Sequence, residues 1–493
     1  MTSRRVQIAE FILTDFYGPI VSAVAHQLLR NHSLTLPQLQ QRVVQYPRGK
    51  IKESLMCLLQ NGLVTAQIDR NQESRTQFRM SIDDVFSIIH CAGFIYRANL
   101  LFGEVGRELA HEFTLHGQLT APEAVDIVKD RVDRPRPEVQ KVINDMFETN
   151  FLITSPLFEK HLIHRDEKGS RALLASYNQT LTDGIMYSLN NRRFFEQERN
   201  EIITEIVGML HCHPYTKNII RCVIRVLETK KGGDEGKMLR TSASVHQDEI
   251  INMVEKKFRV SRNEILQCLK TLTFVPRNTQ YRSQDDILIL KKDPNQANCY
   301  ILDWELAIRI WLRQTALRYA SERHGHHASC ILGMLLFHGP SEIEAIQKQT
   351  LICPKEAKCI VYTLENDNFL ERVENITAGD THRQEPRYRS TYLGLARLLE
   401  NRWEQAIFNV LIQRKEIADT HRVLLNKYKT LDKFARTLDD SEEITHLWAS
   451  LTRPERQTLH ILRQQLLQTG VQQQSLCREL IMLKQASMTF TES

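Results

Sequence analysis

The chain has little glycine and proline and no closely paired cysteines. Its 493 residues include 19 Gly and 14 Pro, too few for collagen-like or long low-complexity tracts. Its ten Cys lie scattered between Cys57 and Cys477 without a CxxC pair, which predicts reduced, separately packed thiols instead of a disulfide framework. Most of the chain should therefore fold, and its length predicts several modest domains.

Long apolar runs and a secretory signal are also missing. The longest apolar segment, Ala328 to Phe337, is too short to cross a bilayer, and Glu10 and Asp15 interrupt the apolar residues near the start. We therefore expect no membrane contact. The 65 Lys and Arg against 59 Asp and Glu give a net charge of +6, which permits contact with nucleic acid without requiring it.

The short signatures of nucleotide binding and covalent catalysis are absent as well. The sequence contains no GxxxxGK[ST], GxGxxG, GxSxG or HExxH motif, so it predicts a protein that is not an enzyme and needs no cofactor. The densest group of possible metal ligands comprises His324, His326, His327 and Cys330, with His211, Cys212 and His213 upstream. Their spacing matches no standard zinc signature. We therefore predict no metal site, the alternative being a zinc site that an assay for bound metal would reveal.

One pattern of helices and strands recurs along the chain. Its first copy comprises an apolar-periodic helix at Val6 to Arg30 that is interrupted at Gly18-Pro19, a short helix at Leu36 to Val44, an amphipathic helix at Ile51 to Gln60, and strands at Leu63 to Ile68 and Thr76 to Met80. Three helices followed by a hairpin predict a winged helix. Asn61-Gly62 predicts a left-handed end for the third helix.

Three later segments repeat the end of the third helix. The first ending is LLQNGLV at Leu58 to Val64. The later ones are MFETNFLI at Met146 to Ile153, LENDNFLERV at Leu364 to Val373 and the weaker LKTLTFVP at Leu269 to Pro276. Each follows a similar entry to a short helix, at Ser33, Gly117, Ser244 and Gly339. Unrelated amphipathic helices are the alternative, but the shared order and spacing favour four modules.

The chain after the fourth module predicts a coiled coil. The first seam runs through Leu399, Trp403, Ala406, Val410, Ile417, Leu424, Leu431, Phe434 and Leu438, and the second, after Pro454, through Leu462, Leu466, Thr469, Gln473, Leu476, Leu480 and Leu483. Apolar residues at steps of three, four or seven indicate heptads. Two such arms in one chain favour an antiparallel hairpin, and a dimerising coiled coil is the alternative.

The predicted fold is therefore mainly α with small β-hairpins, as four tandem winged-helix domains followed by a C-terminal antiparallel coiled-coil hairpin. The predicted boundaries are 1–81 for winged helix 1, 82–160 for winged helix 2, 161–183 for a linker, 184–303 for winged helix 3 with an insertion near 229–244, 304–393 for winged helix 4, and 394–493 for the hairpin.

Basic side chains gather where a winged helix would meet a phosphate backbone. The candidates for DNA contact are Arg48, Lys50, Lys52, Arg70, Arg75 and Arg79 in the first module; Lys256, Lys257, Arg259, Arg262, Lys291 and Lys292 in the third; and Lys355, Lys358, Arg372, Arg387 and Arg389 in the fourth. Such contacts add affinity without reading the base sequence. Ordinary solvated charge is the alternative for each set.

Three segments carry a family resemblance. FYGPIVSAVAHQLL at Phe16 to Leu29, IKESLMCLLQNGLVTAQ at Ile51 to Gln67, and FGEVGRELAHEFTLHGQLT at Phe102 to Thr120 resemble the third-largest subunit of RNA polymerase III. That family combines four winged helices with a terminal coiled coil and is related to the alpha subunit of transcription factor IIE. This sequence departs from the pattern after Phe151 to Ser155, where Pro156 and a polar segment replace a clear returning strand.

The resemblance implies a non-catalytic nuclear subunit, because templated RNA synthesis belongs to the two largest subunits. Its implied partners are two smaller subunits, with which it forms a heterotrimer on the clamp of the largest subunit, together with initiation factors and promoter DNA bound non-specifically. It would support initiation and promoter opening at genes for small non-coding RNAs such as tRNA and 5S rRNA. A free-standing winged-helix regulator and a scaffold that binds only protein are the alternatives.

Overall fold

The computed structural model describes residues 4–31, 33–67, 76–155, 185–210, 214–230, 242–273, 288–373, 386–435 and 441–491. Its contacts divide the chain into a first compact unit, residues 1–196 with 407–477, and a second compact unit, residues 197–406 with 478–493. Helices predominate in the described residues, which also form four three-stranded antiparallel sheets. In every sheet the last strand in sequence lies between the other two, and we call each sheet with its helices a module.

The first module follows the predicted order closely. Its elements are α1 (Arg4–Tyr17), α2 (Pro19–Arg30), β1 (Leu34–Thr35), α3 (Leu36–Arg42), α4 (Arg48–Gln60), β2 (Val64–Gln67) and β3 (Gln77–Met80). The amide N–H of Thr35 donates to Gln38 Oε1 at 2.9 Å, so a capping box starts α3. Gly62 has a φ of 68° just after α4, as expected for a left-handed helix end.

The second module contains the returning strand that the sequence did not reveal. After α5 (Ile82–Ser87) and a 3-10 turn (Ile88–His90) come α6 (Cys91–His116), β4 (Leu119–Thr120), α7 (Ala121–Val132), α8 (Arg136–Glu148), β5 (Leu152–Thr154) and β6 (Met186–Leu189). Strand β6 pairs with both β4 and β5. The predicted boundaries at 160 and 184 are therefore wrong for this strand, because they assign it to the third module.

The helix start in the second module is fixed by a second capping box. Thr120 Oγ1 donates to Glu123 Oε2 at 2.7 Å, and the amide of Thr120 donates to the same oxygen at 3.0 Å. These hydrogen bonds hold the pKa of the Glu123 carboxyl below its usual value. The segment TAPE therefore marks the start of α7 locally.

The segment Ile82–His116 is long and apolar enough, by length and composition alone, to cross a membrane. Charged residues at Glu104, Arg107 and Glu108 interrupt its apolar residues, so it does not form one continuous apolar run. A core helix of a globular unit has the same composition. Some apolar side chains of this segment, among them Phe94 and Phe113, lie in the core of the second module, whereas others, such as Leu100 and Leu115, are exposed.

The third module lies in the second compact unit from Gln197 onward, and only the first few residues of its first helix precede that boundary. Its elements are α9 (Asn191–Leu210), α10 (Thr216–Lys230), β7 (Val245–His246), α11 (Gln247–Phe258), α12 (Arg262–Leu272), β8 (Leu290–Lys292) and β9 (Cys299–Leu302). Most of the predicted insertion at 229–244 falls outside the described residues. Helix α10 ends at Lys230, and strand β7 begins at Val245.

The fourth module has the same order of elements. They are α13 (Trp304–His324), α14 (His326–His338), β10 (Ser341–Glu342), α15 (Ile343–Thr350), α16 (Pro354–Asn366), β11 (Glu371–Val373) and β12 (Arg387–Arg389). Residues 374–385, between the last two of these strands, lie outside the described residues. Strand β12 pairs with β10 and β11.

Two internal details repeat between modules. The last strand of each sheet carries an aromatic residue opposite the first strand, namely Phe78, Tyr187, Tyr300 and Tyr388. A glycine of positive φ interrupts the helical path before the first strand in three modules: Gly18 at 85° precedes α2, Gly103 at 74° lies inside α6, and Gly325 at 87° precedes α14. Because L side chains rarely adopt this conformation, glycine sets the break in the helical path there.

The C-terminal helices are α17 (Tyr392–Thr420), α18 (Arg422–Ala435), α19 (Ser441–Ala449) and α20 (Arg453–Thr491). In the first compact unit, Arg414 Nη1 donates to Gln473 Oε1 at 3.1 Å and Lys427 Nζ donates to Glu455 Oε1 at 2.9 Å. In the second, Trp403 Nε1 donates to Glu479 Oε2 at 2.8 Å. Going from Arg414 to Lys427 along α17 and α18, the partner on α20 moves back from Gln473 to Glu455. Within the first unit, α20 is therefore antiparallel to these helices.

The predicted seam is only partly the buried line. Leu399, Trp403, Leu462, Leu480 and Leu483 are buried, whereas Val410, Ile417, Leu424, Leu431, Leu466 and Leu476 are half-buried and Leu438 lies outside the described residues. Ile407 and Leu411 are buried in place of Ala406 and Val410. Helix α17 also packs against α1, where the rings of Phe408 and Phe11 are 5.5 Å apart, and this second contact shifts the inward face.

The last part of α20 is not a solvent-exposed coiled-coil arm. Leu480, Ile481, Met482 and Leu483 are all buried, and consecutive residues of a helix point in different directions. The helix is therefore covered on several sides within the second compact unit. Arg478 adds ion pairs to Glu198 at 3.2 Å and Glu205 at 2.8 Å on α9, so this part of the predicted hairpin is a core helix.

Candidate nucleic-acid interface

Helix α4 of the first module presents three cations to solvent. Ile51, Leu55 and Leu58 fix its orientation because they are buried on the opposite face of α4. Arg48, Lys50 and Lys52 are exposed, but Lys50 Nζ lies 2.7 Å from Glu53 Oε2. Arg48 and Lys52 form no ion pair within the part of the chain that the structure describes. They are therefore the two cations of this helix that remain open to an anionic ligand.

The wing of the first module contributes one described cation. Arg79 lies exposed on β3, directly across from Thr65 of β2. Arg70 and Arg75, which the sequence also predicted for this site, lie outside the described residues. The structure thus describes cations on both the helix and the hairpin of this module, the two elements that meet a phosphate backbone in a winged helix.

In the third module, the predicted cluster divides into paired and unpaired cations. Arg262 Nη2 lies 2.8 Å from Asp248 Oδ1, and Lys291 Nζ lies 3.0 Å from Asp303 Oδ2. Lys256, Lys257, Arg259 and Lys292 are exposed. Arg259 has a φ of 54° and ends α11 in the left-handed conformation, so the turn between the second and third helices carries the positive charge.

In the fourth module, the strand arginines are neutralised and the helix lysines are not. Arg387 Nε lies 3.0 Å from Glu342 Oε1, and Arg389 Nε lies 3.0 Å from Glu371 Oε2. Lys355 and Lys358 are exposed on α16, and neither has an ion-pair partner among the described residues. Arg372 is exposed on β11. The helix face of this module is therefore its more available cationic surface.

The second module differs from the others in the charge at the start of α8. Arg134 lies 3.7 Å from Glu138, and Arg136 lies 3.9 Å from Asp126, so acidic neighbours offset the charge at the start of α8. Lys141 is exposed on that helix. The sequence assigned no basic cluster here, and the structure supplies only this one cation beyond the two paired arginines on α8 and the preceding turn.

Three histidines at the junction of α13 and α14 each contact one neighbouring side chain. His324 Nε2 lies 3.0 Å from Asp367 Oδ2, His327 Nδ1 lies 2.6 Å from Glu356 Oε1, and His326 Nε2 lies 3.5 Å from Cys330 Sγ. Among the described residues, no three or more His, Cys, Asp or Glu side chains are arranged to hold a metal ion. His211, Cys212 and His213 fall outside them.

The helix order, the hairpin and the cationic third helix place the first module in the helix-turn-helix class. A family model described as the RNA polymerase III subunit RPC82 helix-turn-helix domain matches residues 7–67, which extend from α1 to β2. The matched residues include α4, which carries Arg48 and Lys52.

Full-length proteins show the same relationship. The chain is 22% identical to the DNA-directed RNA polymerase III subunit RPC3 of Danio rerio and 21% identical to the proteins of that name from Bos taurus and Homo sapiens. In each case 94% of this chain and 94% of the relative are covered. These findings confirm the resemblance to the third-largest subunit of RNA polymerase III that the sequence indicated.

Proposed function

We propose that this chain is a non-catalytic peripheral subunit of DNA-directed RNA polymerase III. The observation that carries the proposal is similarity over nearly the whole length of both this chain and its relatives, which bear that subunit's name. The order of helices and sheets is consistent with it, because four modules of one topology precede the C-terminal helices. Nuclear localisation follows from this assignment.

Each of the four modules is proposed to be a winged helix, with the second extending to Leu189. The C-terminal helices are proposed to form a hairpin over the part where Leu451, Leu459 and Leu462 cluster with Ile417, Leu424 and other apolar residues. Beyond residue 477 the last helix serves as core. The proposed role is support of initiation and promoter opening for small non-coding RNA genes, within a heterotrimer on the clamp of the largest subunit.

Affinity purification of the tagged full-length chain from nuclear extract tests the assignment. The expected co-purifying proteins are the two largest polymerase subunits together with two smaller partners in equal amounts. Recovery of the chain alone, as a dimer that binds one palindromic DNA site, would instead identify a free-standing regulator. Omitting the tag gives the background for the comparison.

The proposed DNA contact is weak, salt-dependent and tolerant of sequence. Arg48 and Lys52 support it, since both are exposed and unpaired in the described structure. Replacing both with Gln should lower the slope of log affinity against log salt by about 2, because each lost phosphate contact removes about 0.9. The matched control replaces Arg387 and Arg389, which removes the same charge from ion-paired side chains.

The result for the control decides between local contact and general attraction. A smaller change for the Arg387 and Arg389 variant supports contact through α4. An equal loss in both variants would mean that net charge alone attracts DNA. No DNA binding by the unaltered chain would favour a scaffold that contacts only protein.

A further inference from the structure

The turn between α15 and α16 places a leucine in a backbone conformation that leucine rarely adopts. Leu351 ends α15 with a φ of 57° and a ψ of 30°, the left-handed region in which the Cβ atom is crowded by a carbonyl oxygen. Asp133 and Arg259 have the same conformation at the corresponding turns of the second and third modules, and both are charged. The fourth module therefore holds an apolar side chain at this point in spite of local strain.

The side chain of Leu351 contributes little to the packing of its own module. It is 91% exposed, whereas the next residue, Ile352, is 8% exposed and fixes the turn from the inside. The backbone amide of Leu351 donates to the carbonyl oxygen of Gln347 at 3.0 Å, a hydrogen bond that any residue except proline could form. Neither the core nor the turn therefore requires leucine at this position.

Lysines lie on both sides of this turn. Lys348 belongs to the last turn of α15, and Lys355 and Lys358 belong to the first two turns of α16. All three side chains are exposed, and none forms an ion pair in the part of the chain that the structure describes. Glu356, which lies between the two lysines of α16 in sequence, is 2.6 Å from His327 Nδ1. The turn is therefore flanked by positive charge that its acidic neighbour does not neutralise.

An exposed tyrosine extends the surface along α16. Tyr362 is 50% exposed and lies four residues after Lys358 and seven after Lys355, so the three side chains share one side of the helix. Glu344, the only acidic residue of α15, lies about two helical turns before Leu351 and leaves the lysines in excess. We call Leu351, Tyr362 and the three lysines the turn surface.

We infer that the turn surface binds an acidic segment of a partner protein, in which an apolar residue packs on Leu351. The lysines supply the charge complementarity, and burial of Leu351 against the partner provides the contact that it lacks within its own chain. A nucleic-acid backbone could pair with the lysines, but it would leave Leu351 in water. The DNA contact proposed above uses α4 of the first module and is independent of this surface.

Binding of defined peptides to the full-length chain, measured by fluorescence anisotropy, tests the inference. The probe is a labelled helical peptide with a row of Leu on one face and Glu on both flanks. One control peptide has Gln in place of every Glu, and the other has Ala in place of every Leu. The probe should bind about tenfold more tightly than either control, because each control lacks one of the two kinds of contact.

Leu351→Asn tests the apolar contact without endangering the fold. Asparagine adopts the left-handed conformation more readily than leucine, so the thermal midpoint should stay the same or rise. Binding of the probe should nevertheless weaken about tenfold. Binding of the Leu-free peptide should not change, since that peptide has no large apolar side chain to pack on residue 351.

A charge variant tests the lysines. Changing Lys348, Lys355 and Lys358 to Glu should weaken probe binding about tenfold or more, because three attractions become repulsions. The matched control changes three exposed lysines of the third module to Glu, namely Lys256, Lys270 and Lys292. It alters the net charge equally and should leave probe binding within about twofold of that of the unaltered chain.

Three results would each overturn the inference. They are failure of the probe to bind, normal probe binding by Leu351→Asn, and equal weakening in the two triple variants. A labelled DNA duplex provides a further comparison. DNA binding that the first triple variant weakens, together with normal probe binding by Leu351→Asn, would identify a nucleic-acid surface instead.

Discussion

Met482 distinguishes a core helix from a coiled-coil arm at the end of the chain. A two-stranded seam through Leu480 and Leu483 leaves the two residues between them facing solvent, yet Ile481 is 6% exposed and Met482 is 0% exposed. Met482→Ala removes the Cγ, Sδ and Cε atoms from a closely packed site. We expect the free energy of unfolding to fall by about 2–4 kcal/mol, because a cavity adds to the lost transfer energy.

Tryptophan fluorescence during urea denaturation can measure this effect. In a Trp448→Phe background the remaining Trp304, Trp311 and Trp403 all belong to the second compact unit. The midpoint of their transition should fall by about 1–2 M urea. Met488→Ala is the matched control, since Met488 lies on the same helix within the second compact unit, is 59% exposed and should change stability by less than about 0.5 kcal/mol. Equal, small shifts for both variants would refute the assignment of a core helix.

Three further predictions concern the first compact unit. Tyr187→Ala should lower the free energy of unfolding by about 3–5 kcal/mol, whereas Met186→Ala, on the exposed face of the same strand, should change it little; both are read from urea midpoints. Arg131→Met should cost about 2–3 kcal/mol because it leaves the buried Glu112 carboxylate with only His111 and His116 beside it, and combining it with Glu112→Gln should recover part of the loss in the same assay. Hydrogen bonds from the side chain of a lysine and from a threonine lower the pKa of Glu455 to about 2. The ionised Glu455 carboxylate should therefore stabilise the fold fully above about pH 4.5, and this stabilisation should disappear as the pH falls toward 2. Amide exchange should show this pH dependence in the parent but not in Glu455→Gln.

Local signals predicted the helices and their ends better than the strands. Asn61-Gly62 predicted a left-handed end for one helix, and Gly62 has a positive φ. Asn150 and Asn368, in two of the later endings, share this conformation. Strand β6 was missed because residues 155–185 separate it from β5, a distance well beyond ordinary hairpin loops. The break at Gly103 was also missed, since apolar residues continue at helical spacing on both sides of it.

The candidate interface could be predicted in outline but not in detail. The sequence identified which elements carry basic residues, because helix periodicity separates exposed from buried positions. It could not identify which cations are already paired, since Arg387 and Glu342 come together only when β12 pairs with β10.

The repeated modules use the same internal packing with different surfaces. A buried or half-buried aromatic residue occupies the last strand of every sheet, from Phe78 to Tyr388, because each sheet needs one large side chain against its helices. The exposed positions have no such constraint. In α4, Arg48 and Lys52 remain unpaired, whereas at the start of α8 Arg136 faces an acidic neighbour. Equivalent helices can therefore contact different partners without any change in the fold that supports them.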